Sequence, residues 1–196
     1  MKKIFYLIIF VSTAAYSQEF DKNLASAKSA YGSGDLENAR FAMEQMLRDL
    51  DIQIGKEILK MLPAQVGSLK ADDKKDNLNG GGGYGLYVQR YYGADPKNGQ
   101  IEIINNSPLI NSINMILSTP VLGGMMRDEN QKQIKVQGYK SLLTKNVNSE
   151  TAKTNYELQI PMNNTLVTVR IDDSNEQEIT AAANAIPLAK IAQIAQ

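Results

Sequence analysis

The sequence predicts an α+β protein: an N-terminal helical hairpin followed by a mostly antiparallel sheet of about six strands with helices packed on it. Three observations lead there. Apolar residues recur at steps of three and four up to Leu62, the spacing of a helix face, whereas from Tyr84 onward they alternate with polar ones, the spacing of a strand. Between these regimes lies a mixed-charge run that ends in four consecutive glycines, Gly80 to Gly83. Most of the strand-like stretches follow one another through short turns, which join antiparallel neighbours, since parallel ones need a long crossover.

The first residues read as a secretory signal. Basic Lys2 and Lys3, the apolar run Ile4 to Val11 and the small-residue segment Ser12 to Ser17 stand in the order such a signal requires. Ala15-Tyr16-Ser17 fits the cleavage pattern, so residues 1–17 are expected to be removed, leaving Gln18 at the N-terminus. The apolar run falls far short of the roughly 20 residues that span a bilayer, and no later segment reaches that length. A periplasmic or secreted location, with no membrane span after cleavage, is the expectation. Losing two lysines leaves 19 basic against 21 acidic residues, a net charge of −2. Lys and Arg are scattered among acids, so no nucleic-acid partner is expected.

The hairpin occupies residues 18–63. Leu24, Ala27 and Tyr31 mark one face of its first helix, which Gly32-Ser33-Gly34 should stop. Asp35 can cap a second helix, with Asn38 three residues on, and Leu36, Ala39, Met43, Met46 or Leu47, Leu50, Ile54, Ile58 and Leu62 form its stripe up to Pro63. Gly55 offers a place to bend it. Residues 64–83 are expected to be a Gly-rich flexible linker, and 84–196 an α+β sandwich domain.

Within that domain Leu86, Val88 and Arg90 alternate with Tyr87, Gln89 and Tyr91, and a turn over residues 94–99 leads into a strand at 100–105. Ser107 caps a helix with Pro108 at its first position, then Leu109, Ile110, Ile113, Ile116 and Leu117 on one stripe. Gln137-Gly138 suits a tight turn between strands at 133–136 and 139–145. Two more strands, 154–161 and 165–172, precede a C-terminal helix that Asp173 or Ser174 can cap.

The stretch from Ala27 to Ala39, Ala-x-x-Ala-Tyr-x-x-Gly-Asp-Leu-Glu-x-Ala, resembles the inter-helix turn of a tetratricopeptide repeat, but a repeat scaffold needs about three copies and only one is present. Lys60-Met61-Leu62-Pro63, Arg90-Tyr91-Tyr92, Asn106-Ser107-Pro108-Leu109-Ile110, Val136-Gln137-Gly138-Tyr139 and Leu166-Val167-Thr168-Val169, taken with the signal and the hairpin, resemble a family of uncharacterised exported Gram-negative proteins. The element order of the second domain is similar to the PsbP-like sandwich. Neither resemblance implies an activity.

Composition removes most catalytic chemistry. With no histidine and no cysteine, the chain has no Ser-His-Asp triad, no thiolate nucleophile and no thiolate or imidazole metal site. No cofactor and no metal are expected. Glu102, Glu157, Asp172 and Asp173 lie where paired carboxylates meet on a sheet, the arrangement glycoside hydrolysis uses, although no tryptophan is present as a sugar platform. Residues 172–176 have oxygens for a calcium loop without its spacing. The four glycines precede a strand and not a helix, so they make no phosphate cradle.

Aromatic and sulfur side chains supply the candidate binding surface. Tyr84, Tyr87, Tyr91 and Tyr92 crowd one strand, Tyr84 and Tyr92 on one face and Tyr87 and Tyr91 on the other, while Met125 and Met126, with Met43, Met46 and Met115, suit an adaptable groove. The expected function is non-enzymatic binding of an envelope protein or small ligand. The alternatives are an enzyme of carboxylate, lysine or tyrosine chemistry, or a chaperone-like envelope stress factor.

Overall fold

The computed structural model describes residues 11–81, 85–118, 130–147 and 153–195, with side chains from Gln18 onward. In chain order the elements are α1 (Val11–Gly32), α2 (Leu36–Met61), β1 (Gln65–Val66), β2 (Leu69–Lys70), a 3₁₀ turn (Asp73–Lys75), β3 (Asn77–Asn79), β4 (Tyr87–Ala94) and β5 (Lys97–Asn105). They continue with α3 (Leu109–Ser118), β6 (Gln131–Val136), β7 (Tyr139–Val147), β8 (Thr154–Met162), β9 (Thr165–Ile171), α4 (Glu176–Asn184) and α5 (Leu188–Ile194). This is the expected α+β class.

The helical hairpin is set by its turn. Gly34 takes φ +81°, where a side chain would be strained, and Asp35 then caps α2, accepting the Asn38 backbone N–H at 3.2 Å and Asn38 Nδ2 at 2.7 Å. The two helices meet through small side chains, Ala27, Ala39 and Ala42, all buried. Gly55 does not break α2. Instead it lets the C-terminal half of the helix lie close on the sheet: a Cβ there would strike Leu78 and stand 3.0 Å from Leu86 and 3.2 Å from Val88. Ile58 and Leu62 share one core cluster with Leu86 and Val88, so the hairpin docks on the sheet.

The main sheet has seven strands, all antiparallel, in the order β3-β4-β5-β9-β8-β7-β6. It is two meanders joined where β5 pairs with β9, Ile101 opposite Val169 and Ile103 opposite Val167. The seventh strand, β3, comes from the segment expected to be a flexible linker. That expectation is corrected over its described part: residues 64–81 carry β1, β2, the 3₁₀ turn and β3, and Val66 and Leu69 join the core. The turn between β4 and β5 also closes earlier than the sequence suggests, over Asp95–Pro96 alone.

Alternation decides which residues face the core. Leu86, Val88 and Tyr92, Ile101 and Ile103, Leu158 and Ile160, and Val167, Val169 and Ile171 point to one side, where α2, α4 and α5 cover them. Arg90 lies on this same buried side. Its guanidinium grips Asp76, Nε to Oδ1 at 3.0 Å and Nη2 to Oδ2 at 2.5 Å, while Nη1 donates to the Leu59 carbonyl in the last turn of α2 at 3.0 Å. Removing one partner of such a buried pair costs about 3–5 kcal/mol, since it strands the other charge. Tyr92 Oη donates to the Pro63 carbonyl at 3.0 Å, a second tie between the end of α2 and β4.

At the far end, Gln137 and Gly138 both take positive φ, 49° and 90°, as a tight β-hairpin turn requires. The Gln137 amide reaches over to the end of α4, donating to the Ile186 carbonyl at 2.7 Å and the Asn184 carbonyl at 3.1 Å. The cap of α4 is neither Asp173 nor Ser174. Asn175 accepts the Glu178 N–H at 2.9 Å, and the Glu178 carboxylate accepts the Asn175 N–H, a reciprocal capping box. Asp173 takes φ 46° and Ser174 Oγ bonds back to the Ile171 carbonyl, so the helix starts later.

Candidate functional site

The other face of the sheet carries polar side chains in register. Across β4, β5, β9, β8 and β7, one row runs Tyr91, Gln100, Arg170, Glu157, Thr144, and the next runs Gln89, Glu102, Thr168, Gln159, Leu142. A third row, Tyr87, Ile104, Leu166, Pro161, leads under α3, whose Ile110, Ile113 and Leu117 pack on Leu142 and Leu166. Helix α3 thus covers the apolar corner of this face. Ser107 Oγ lies 3.4 Å from the Leu109 N–H at the helix start, and Pro108 occupies the turn before it.

Hydrogen bonds hold the polar rows in place. Tyr87 Oη donates to Glu102 Oε2 at 3.1 Å, Gln89 Nε2 donates to Gln100 Oε1 at 3.1 Å, and Arg170 Nε donates to Glu157 Oε2 at 2.5 Å. Burial, reinforced by the neighbouring Glu102 carboxylate, pushes the Tyr87 phenol up to about 12, so it stays protonated and serves as a donor. Burial works against the Arg170 charge, but the hydrogen bond and charge of Glu157 outweigh it and raise the guanidinium pKa, with Glu102 adding to the effect. Two carboxylates therefore flank one guanidinium that is always charged.

Beside Tyr87 lies a hollow of about 580 Å³. Its walls are Tyr87, Ile104, Pro108 and Leu109, and its polar groups are the Asn77 and Asn79 amides and Ser107, with Gly81 and Gly85 at the rim. Among the described residues no charged side chain lines it. Asp51 accepts the Gly81 N–H; burial raises its carboxyl pKa, and that hydrogen bond opposes the rise.

No protein family, curated protein or solved structure matches the chain.

Of the expected binding residues, Tyr87 and Tyr91 share this polar face, both half-buried. Tyr92 does not belong with them: it is fully buried on the core side and ties down α2, so its place in a binding surface is corrected. Tyr84, Met125 and Met126 lie outside the described residues. Met43 on α2 and Met115 on α3 are both exposed, on separate elements.

The four carboxylates are also sorted. Glu102 and Glu157 come together around Arg170, whereas Asp172 and Asp173 follow β9, where Asp173 sits 3.7 Å from Lys153. Glu176 is paired with Lys132 at 2.6 Å, and Glu178 with Lys97 at 3.1 Å. Among the described residues no three acidic groups converge as metal ligands. Sequence reasoning missed Arg170 and the two glutamines as site residues. The signal was there in the alternation of β9, since Leu166, Thr168 and Arg170 oppose the apolar Val167, Val169 and Ile171.

Proposed function

We propose that this chain is an exported, non-enzymatic binding protein that holds a small polar ligand on the polar face of its sheet. The observation that supports the reading is the two hydrogen-bonded pairs, Tyr87 with Glu102 and Arg170 with Glu157, beside the hollow that Tyr87 walls, which has no charged side chain among the described residues. A pocket of this size, mostly apolar with a few placed polar groups, is the usual form of a small-molecule site. Amides and a neutral phenol favour a ligand of amide or hydroxyl character, such as a short peptide or an oligosaccharide. Ligand-detected NMR against libraries of both should find binders that Tyr87→Ala loses. If Tyr87→Ala binds as the unsubstituted chain does, or if no member binds at millimolar concentration, the reading fails. Export has its own check: the mature protein recovered outside the cytoplasm should begin at Gln18.

A second reading, carboxylate catalysis, draws on Glu102 and Glu157 flanking Arg170. It predicts turnover of a bound glycan that Glu157→Gln abolishes while binding persists.

A further inference from the structure

The stripe along α2 has two fates. Leu36, Met43, Leu47, Leu50, Ile54 and Ile58 lie within about 40° of one line on the helix surface at 100° per residue. Its C-terminal part is packed on the sheet, with Ile58 fully buried, while Leu36, Met43, Leu47 and Leu50 are between 48% and 64% exposed. The free part, Leu36 to Leu50, makes an arm about 21 Å long at 1.5 Å per residue.

Helix α1 adds to the same surface. Phe20, Leu24 and Tyr31 are exposed and sit beside the seam residue Ala27. On both helices the exposed apolar residues are offset from the alanine seam in the same rotational sense. Because antiparallel helices reverse that sense as they reverse direction, both sets emerge on one side of the hairpin. Phe41, also exposed, lies on the opposite side.

We infer that this platform is the interface of a homodimer, in which two hairpins associate face to face as an antiparallel four-helix bundle. The seven side chains present on the order of 700 Å² of surface, close to the roughly 800 Å² per partner of a standard stable interface. The stripe is symmetric about Met43, with Leu36 and Leu50 each seven residues away, so a copy related by a two-fold axis sets Leu36 against Leu50 on both sides. Residues 18–50 carry six acidic and four basic groups, with Arg40 and Glu44 paired at 3.2 Å, so two arms meet without strong repulsion. That mildly acidic arm lacks the basic rim with which an amphipathic helix binds anionic lipid. The dimer does not depend on the ligand site proposed above.

Because the chain has no cysteine, the test is clean. Analytical ultracentrifugation of the mature chain should show a concentration-dependent dimer, and Met43→Glu with Leu47→Glu should raise the dissociation constant at least about tenfold while leaving the circular dichroism spectrum unchanged. Under oxidation Met43→Cys should form a disulfide-linked dimer, and Phe41→Cys should not. A chain that stays monomeric up to hundreds of micromolar overturns the inference, even if its arm then captures another protein. So does a dimer that the double substitution leaves intact, or equal crosslinking at positions 41 and 43.

Discussion

Tyr87 and Tyr92 stand on one strand, face opposite sides of the sheet, and are both held protonated by burial. Tyr87 rises to about 12, first through desolvation and then through Glu102; Tyr92 rises as well, with burial again the largest cause and Arg90 opposing it. An unfolded tyrosine ionises near pH 10. The folded chain therefore keeps two protons that the unfolded chain gives up, and their contribution to stability is complete below about pH 10 and is lost as the pH climbs through the folded values. Absorbance titration at 295 nm should show a late tyrosine phase, and Tyr87→Phe should shrink it; an unchanged late phase would exclude this assignment. Strand alternation alone separates Tyr87 and Tyr91 from Tyr92. It leaves open which set is buried, because that follows from where α2 docks, through the Leu59 and Pro63 carbonyls about 30 residues away.

The elements divide into those fixed by their own residues and those fixed by their neighbours. Gly32 to Asp35 specifies the hairpin turn locally, and Ser107-Pro108 specifies the start of α3, so both are readable. The cap of α4 is less so, since three consecutive residues qualify and only the reciprocal bond between Asn175 and Glu178 selects one. Strand β3 is the clearest miss: Asn-Leu-Asn next to four glycines has no strand propensity, and its conformation comes from pairing with β4 and from Leu78 packing under α2. Gly55 shows the same tertiary control. In an exposed helix, Gly→Ala stabilises by about 1 kcal/mol, whereas overpacking a close contact costs about 1–3 kcal/mol. Here Leu86 and Val88 stand at the contact limit, so Gly55→Ala should lower the urea midpoint; an increase would mean that Leu78 swings aside at no cost.

Across the whole molecule, the core begins at Ile58 and not at the first helix. A chain starting at Asp51 should therefore still unfold cooperatively, while one starting at Ala64 should not, because it loses Ile58, Leu62 and the Leu59 carbonyl that Arg90 holds. Circular dichroism melts of the two would decide, and cooperative unfolding of the shorter one would refute the shared core. Fold class was legible because periodicity is local. Strand order was not, because the central pairing joins residues 99–105 to 165–171 and nothing near either segment announces the other. That pairing also sets a timetable. A chain that emerges N-terminus first, from a ribosome or through a narrow channel, cannot close its sheet until Ile171 is free, and α4 and α5 arrive later still. Both meanders must be delivered, up to Ile171, before they can zip together, so until then the sheet stays open and the chain threadable.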